Sequence, residues 1–179
     1  RRAGGSRWAV KGPRGGVSVA RQCTDPGGMR LTTWPAWDAT VGLGYQDRRG
    51  YGGQRIFVAG LSLGGTLALH LAAHQPLDGM IIINTPIYLP QFIKGAISLF
   101  GGAIPYLNKV FSDVREPVAR AAQRGYTRTP VECYSSLIDL LTVVRGELPR
   151  ITTPALVMYS RNDHVVMTPN SHHIYANLG

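Results

Sequence analysis

The stretch Gly60-Leu61-Ser62-Leu63-Gly64-Gly65 sets a serine between two glycines, each two positions away. A short apolar run precedes it and a helix-like run follows it, the context in which GxSxG forms a nucleophile elbow. The spacing has a steric reason. A sharp strand-to-helix turn brings the residues two before and two after the serine together, so both must be small. The turn would lift the Ser62 hydroxyl to the carboxyl edge of a sheet, ready to attack a carbonyl carbon. The backbone N–H of Leu63, at the helix N-terminus, would then stabilise the oxyanion that forms. The competing reading is a chance GxSxG in a glycine-rich chain; the strand before and the helix after favour the elbow, with Ser62 as nucleophile.

A second candidate is Asp163 in Ser160-Arg161-Asn162-Asp163-His164. A carboxylate at the carboxyl end of a strand can orient a histidine and stabilise the imidazolium formed when a serine loses its proton. The same residue can instead be a turn aspartate capping the next helix. A serine, acid, histidine order asks for a base after position 163, and His164, His172 and His173 are available. His164 adjoins the acid and cannot easily place its ring between that acid and a serine on another strand. His172 and His173 fall in 169–178, which reads as a helix. All three read as surface histidines. His70 and His74 lie in the elbow helix and read as packed or exposed helix residues, not ligands. Cys23 and Cys133 are far apart with no CxxC spacing, so they read as free thiols; no metal site and no cofactor is expected.

These residues need elements to hold them. Residues 55–60 form a short apolar, β-branched run closed by glycine, as a buried parallel strand should be. Leu67, Leu71 and Ala72 within 64–74 suit a helix packed on a sheet, and Pro76 ends it. Residues 79–84 and 154–160 read as two further strands. Strands spaced by helices imply a parallel sheet. Residues 86–146 break that alternation. They hold the apolar, glycine-punctuated 92–111, a predicted helix over 113–123, and another over 132–145 on Leu137, Leu140, Leu141 and Val144. An insertion of that length suggests a lid or cap. Phe92, Ile93, Ile97, Phe100, Ile104, Tyr106, Leu107 and Phe111 make it apolar, with Gly95, Gly101 and Gly102 as hinges, which suits an acyl chain.

Three segments carry a family resemblance: 58–70 with its Gly60-Leu-Ser-Leu-Gly-Gly65, then Ile83-Asn-Thr-Pro86, and 154–166 with its Ser160-Arg-Asn-Asp-His164. In this order they resemble the bacterial carboxylesterases and monoacylglycerol lipases of the α/β-hydrolase superfamily. The resemblance covers about 55–179 and extends loosely to Thr24–Trp37. It implies an α/β class and a partial α/β-hydrolase fold: a mostly parallel sheet flanked by helices, with a helical cap inserted at about 86–146. It also implies hydrolysis of carboxylic esters through an acyl-enzyme on Ser62, with Asp163 as triad acid and the Leu63 N–H in the oxyanion hole. The family's catalytic histidine follows one more strand, and its His-Gly oxyanion loop lies upstream. Neither has a counterpart here, so the chain is expected to be an incomplete hydrolase, lacking its first strands, that loop and the histidine. Without a base Ser62 is a weak nucleophile. The alternative is a non-catalytic hydrolase-like fragment that binds apolar ligands or partner chains.

Composition narrows the partners. With 179 residues, 44% of them apolar, the chain can bury a core of its own. Its net charge of +9 suggests nucleic acid, but residues 1–55 hold 10 of the 19 basic and 3 of the 10 acidic residues. The rest of the chain is close to neutral, and the expected partner is a small apolar ester or lipid, not nucleic acid. Twelve of the 22 glycines precede residue 54, so 1–54 reads as a Gly/Arg-rich, poorly specified segment ahead of a hydrolase domain at 55–179. The longest apolar stretch is broken by Pro105, Asn108 and Lys109, so no membrane span is expected. No apolar signal-peptide core follows Arg1-Arg2, which points to the cytoplasm with secretion as the alternative.

Overall fold

The computed structural model describes residues 33–50, 55–91, 95, 106–108 and 128–179. Its centre is a parallel sheet of β1 (Phe57–Leu61), β2 (Gly79–Ile83) and β5 (Ala155–Met158), in the order β1-β2-β5. Phe57 aligns with Gly79 and Leu61 with Ile83; across the other side of β2, Met80 aligns with Ala155 and Ile83 with Met158. The register brings the carboxyl ends of all three strands to one edge. The alternation of side chains along each strand turns Val58, Met80 and Ile82 into the core, while Phe57, Leu61, Ile81, Leu156 and Met158 are exposed.

Helix α2 (Leu63–His74) returns from β1 to β2. It is apolar nearly all round, which is why it is buried over most of its length. Helices α1 (Trp34–Gly50) and α3 (Val131–Glu147) pack against it. A 3-10 turn (Leu148–Arg150) leads on to β5, and α4 (Pro169–Asn177) follows that strand. Leu67, Leu69, Leu71, Ile82, Leu140, Val144, Leu148 and Ile174 belong to one core.

Two features of this architecture are not evident from local composition. Helix α1 lies inside the segment that glycine density marks as poorly specified. Its Trp37, Val41 and Tyr45 recur one turn apart and are buried, and burial of such a stripe outweighs the poor propensity of Gly42 and Gly44. The α1 ends are held as well: the Trp34 amide donates to Ser136 Oγ at 2.7 Å and the Tyr45 hydroxyl to the Pro76 carbonyl at 3.0 Å. The second feature concerns the insertion. Short strands β3 (Tyr106–Asn108) and β4 (Arg128–Pro130) pair antiparallel, which the pattern of 92–111 does not announce. The α3 stretch read into the same insertion places Leu140 and Val144 in the main core. The predicted helix over 113–123, most of the apolar 92–111 and Cys23 lie outside the described residues. Cys133 is a buried thiol on α3. Among the described residues no helix is long and apolar enough to cross a membrane.

Candidate active site

Ser62 occupies the turn between β1 and α2 with φ 54° and ψ −127°. Non-glycine residues avoid positive φ because Cβ crowds the backbone, and a residue held there stores roughly 1–3 kcal/mol of strain. The surroundings enforce the conformation. The Ser62 amide donates to the Ile83 carbonyl at 2.9 Å, continuing the β1–β2 pairing past the end of the strand. The Ser62 carbonyl accepts from the Gly65 and Thr66 amides at 2.8 and 3.3 Å, starting the helix. Glycine is required on both sides. A Cβ on Gly60 would overlap the Gly64 carbonyl and lie 2.6 Å from the Gly65 nitrogen, and one on Gly65 would run into the Thr85 side chain.

This geometry frees two groups for chemistry. A serine at a helix N-cap normally turns its hydroxyl onto the amides of the first turn, but Ser62 makes no side-chain capping bond. The Gly65 and Thr66 amides are taken by the Ser62 carbonyl, whereas those of Leu63 and Gly64 come too early in the helix for an acceptor one turn back. Leu63 therefore stands next to the hydroxyl with its amide at the positive end of the α2 dipole.

Ser62, Asn84 and Ser160 follow β1, β2 and β5 along the same sheet edge. Asn84 is the other non-glycine residue with positive φ, 43°, among the described residues. Its amide donates to the Met158 carbonyl at 2.9 Å, and its side-chain oxygen accepts from the Ser160 amide at 2.8 Å. Asn84 thus joins the end of β2 to the loop that carries Asp163. In that loop Asp163 Oδ1 accepts from the Val165 and Val166 amides, both at 2.8 Å. These are the bonds of a turn aspartate. They also fix the orientation of a half-buried carboxylate whose second oxygen is not used in them.

All five histidines are described, and His70, His74, His172 and His173 contact groups other than Ser62. His172 Nε2 meets the Tyr159 hydroxyl at 3.1 Å and His173 Nε2 the Tyr88 hydroxyl at 3.4 Å. His70 and His74, at the far end of α2, face Glu147. His164 is exposed beside Asp163.

Sequence reasoning passed over several residues that shape this edge. Asn170, buried on α4, accepts from the Ile87 and Tyr88 amides at 2.9 and 2.8 Å. Arg145 donates to the Ile87 carbonyl at 2.6 Å and lies over the Tyr88 ring, 4.7 Å from its centroid. Thr66 Oγ1 donates to the Pro86 carbonyl at 2.7 Å. Together they pin the segment after β2. Only Asn84 had a local signal, since asparagine tolerates positive φ and follows a strand here; the others depend on partners up to 83 residues away.

Residues 43–179 match the family model described as serine aminopeptidase, S33. Among curated proteins, the chain is 37% identical over 154 residues to the thermostable monoacylglycerol lipase of Bacillus sp. strain H-257, covering 84% of this chain and 59% of the lipase. It is 28% identical over 141 residues to a carboxylesterase of Bacillus subtilis, covering 78% of this chain and 56% of that enzyme. Among solved structures, one from work on the metagenome-derived lipolytic enzymes LipS and LipT superposes with a TM-score of 0.75 at 28% identity, over 88% of this chain and 64% of the other. A monoacylglycerol lipase of Paleococcus ferrophilus shares the fold with a TM-score of 0.67 at 18% identity, over 82% of this chain and 62% of that one. The chain spans less than two thirds of the length of each.

Proposed function

The chain belongs to the serine aminopeptidase S33 family of α/β-hydrolases, and from that premise we propose that its chemistry is the hydrolysis of carboxylic esters, with Ser62 as nucleophile. The observation that carries the proposal is the Ser62 conformation, φ 54° and ψ −127°, with its hydroxyl withheld from capping. A strained residue held by its neighbours at a sheet edge is a physical reason to look for function there. In the proposed reaction Ser62 Oγ attacks the ester carbonyl carbon and gives up its proton to a base. The negative charge on the carbonyl oxygen is met by the Leu63 amide, and the ester C–O bond breaks to leave an acyl-enzyme and an alcohol that takes a proton. Water then attacks the acyl carbon, the bond to Ser62 Oγ breaks, the carboxylic acid leaves and Ser62 regains its proton. Asp163 is proposed as the acid that orients the base and stabilises it once protonated.

Esters are favoured over peptides by the 37% identity to a protein named monoacylglycerol lipase and by the apolar residues of the insertion, Phe92, Ile97 and Phe100 among them. Those features suit a monoacylglycerol or another ester with an apolar acyl chain. The residues ahead of α1 and the insertion between β2 and α3 are proposed as additions to the hydrolase core, with α1 and α3 serving that core.

The placement of the histidines favours a second reading, in which the chain is a hydrolase-like fragment without catalysis that binds apolar ligands or partner chains. Labelling with a fluorophosphonate and turnover of a p-nitrophenyl ester separate the two. Labelling with turnover, both lost in Ser62→Ala, supports the enzyme. A folded chain that neither labels nor turns over the ester supports a hydrolase-like binding protein.

A further inference from the structure

At the end of α2 remote from Ser62, His70 and His74 lie one helical turn apart on the same face, opposite Glu147 at the end of α3. His70 Nδ1 is 2.7 Å from Glu147 Oε2, and His74 Nε2 is 3.5 Å from Glu147 Oε1. One ligand atom from each of the three residues falls within 4.8 Å of the others. We propose that His70, His74 and Glu147 form a binding site for a divalent transition-metal ion of the Zn(II) type. Two imidazoles and a carboxylate are a ligand set that suits zinc, with a fourth position left for water.

The contacts behind the ligands support the site. In metal centres the ring nitrogen that does not bind is held by a carboxylate or a backbone carbonyl, which sets the tautomer. The backbone-carbonyl arrangement occurs here, at His74. A carbonyl can only accept, so the 2.9 Å contact of His74 Nδ1 with the His70 carbonyl places a proton on Nδ1, and in the neutral ring Nε2 is then the nitrogen that can bind an ion. His70 Nε2 is 3.8 Å from Asp38 Oδ1 on α1. When Nδ1 binds the ion, Nε2 carries the ring proton on the side that faces Asp38. Ligand atoms in a tetrahedral zinc site stand roughly 3.3 Å apart. The three ligand atoms, now within 4.8 Å of one another, would close in on the ion.

Burial adds a reason. The side chains of His70 and Glu147 are 12% and 7% exposed, whereas that of His74 is 46% exposed and gives the ion a way in. A carboxylate this buried needs positive charge nearby. Arg150 supplies some, at 3.4 Å from Glu147 Oε1, but its side chain is 60% exposed and can turn into solvent as the ion enters. The bound ion would join α2 to α3, two helices that pack against each other. The site lies roughly 10–17 Å along the α2 axis from the start of the helix, so it is separate from the chemistry proposed for Ser62.

Equilibrium dialysis of the 179-residue chain against Zn(II), with Co(II) as a spectroscopic probe, tests the site. The expected result is one tightly held equivalent and a tetrahedral Co(II) visible spectrum, both lost in His70→Gln/His74→Gln. His74→Gln alone, at an exposed position, should keep the wild-type circular dichroism spectrum and still lose the Co(II) spectrum, which covers the chance that the double variant fails to fold. Zinc should also raise the melting temperature of the wild type and leave that of His74→Gln unchanged. No uptake by the wild type, or equal uptake by folded His74→Gln, would overturn the proposal. None of these readouts depends on ester hydrolysis.

Discussion

The side-chain oxygen of Asn84 accepts the backbone proton of Ser160 at 2.8 Å, so the residue after β2 holds the loop after β5. Asn84 does so from a left-handed conformation, φ 43°. Two substitutions separate these properties. Asn84→Gly should lose only the hydrogen bond, about 1 kcal/mol, and glycine accepts the backbone angle freely. Asn84→Ala should lose the bond and also bear a backbone penalty of roughly 1–2 kcal/mol. Urea denaturation midpoints are expected in the order wild type, Gly variant, Ala variant; an alanine variant as stable as the glycine variant would show that the positive φ constrains nothing.

Ser62 is strained for a purpose proposed above, and relief of that strain should be measurable apart from activity. Ser62→Gly is expected to raise stability by about 1 kcal/mol, because glycine adopts φ 54° without a Cβ clash. Ser62→Ala keeps the Cβ and should gain much less. Both should abolish fluorophosphonate labelling. Thermal denaturation of the two variants side by side checks the difference.

Glycines in this chain fall into two kinds, and alanine substitution distinguishes them. At Gly42 on α1 and Gly146 on α3 an added Cβ meets nothing within 4 Å, so Gly42→Ala and Gly146→Ala should each stabilise the protein by roughly 0.5–1 kcal/mol. At Gly60 the Cβ would meet backbone that cannot rotate away, and Gly60→Ala should cost about 3 kcal/mol or prevent folding. Gly65→Ala should cost a comparable amount. There the obstacle is the Thr85 side chain, so Thr85→Ala added to Gly65→Ala should recover part of the loss, which a double-mutant cycle would detect.

Helix α3 should behave as part of the hydrolase core. Leu140 and Val144 are fully buried in the same cluster as Leu67 and Leu69 of α2. Leu140→Ala is expected to lose about 2–5 kcal/mol of unfolding free energy. A change below 1 kcal/mol in denaturant titration would show instead that α3 packs independently, as a cap would.

The fold class was legible wherever a residue's environment depends on its near neighbours in the chain. The runs at 55–60, 79–84 and 154–160 are short, apolar and bounded by glycine, proline or polar residues, and strands β1, β2 and β5 form there. The elbow could be read for the same reason, since Gly60, Ser62 and Gly64 interact within five residues. Helix α1 was less legible. Its glycines weigh against a helix, and only the burial of Trp37, Val41 and Tyr45 against α2 and α3 reverses that preference.

Sequence by itself determined a strand, a serine at a sharp turn and a helix, because sterics and hydrophobic periodicity act over a few residues. It left the histidines of α2 looking like ordinary helix residues. Tertiary structure decided that His70 faces Glu147 across 77 positions and that Asn84 holds Ser160 across 76. Such pairs carry no local signal: a hydrogen bond or ligand set between distant residues exists only once the sheet register and the helix packing have brought them together, and neither is encoded near the residues themselves.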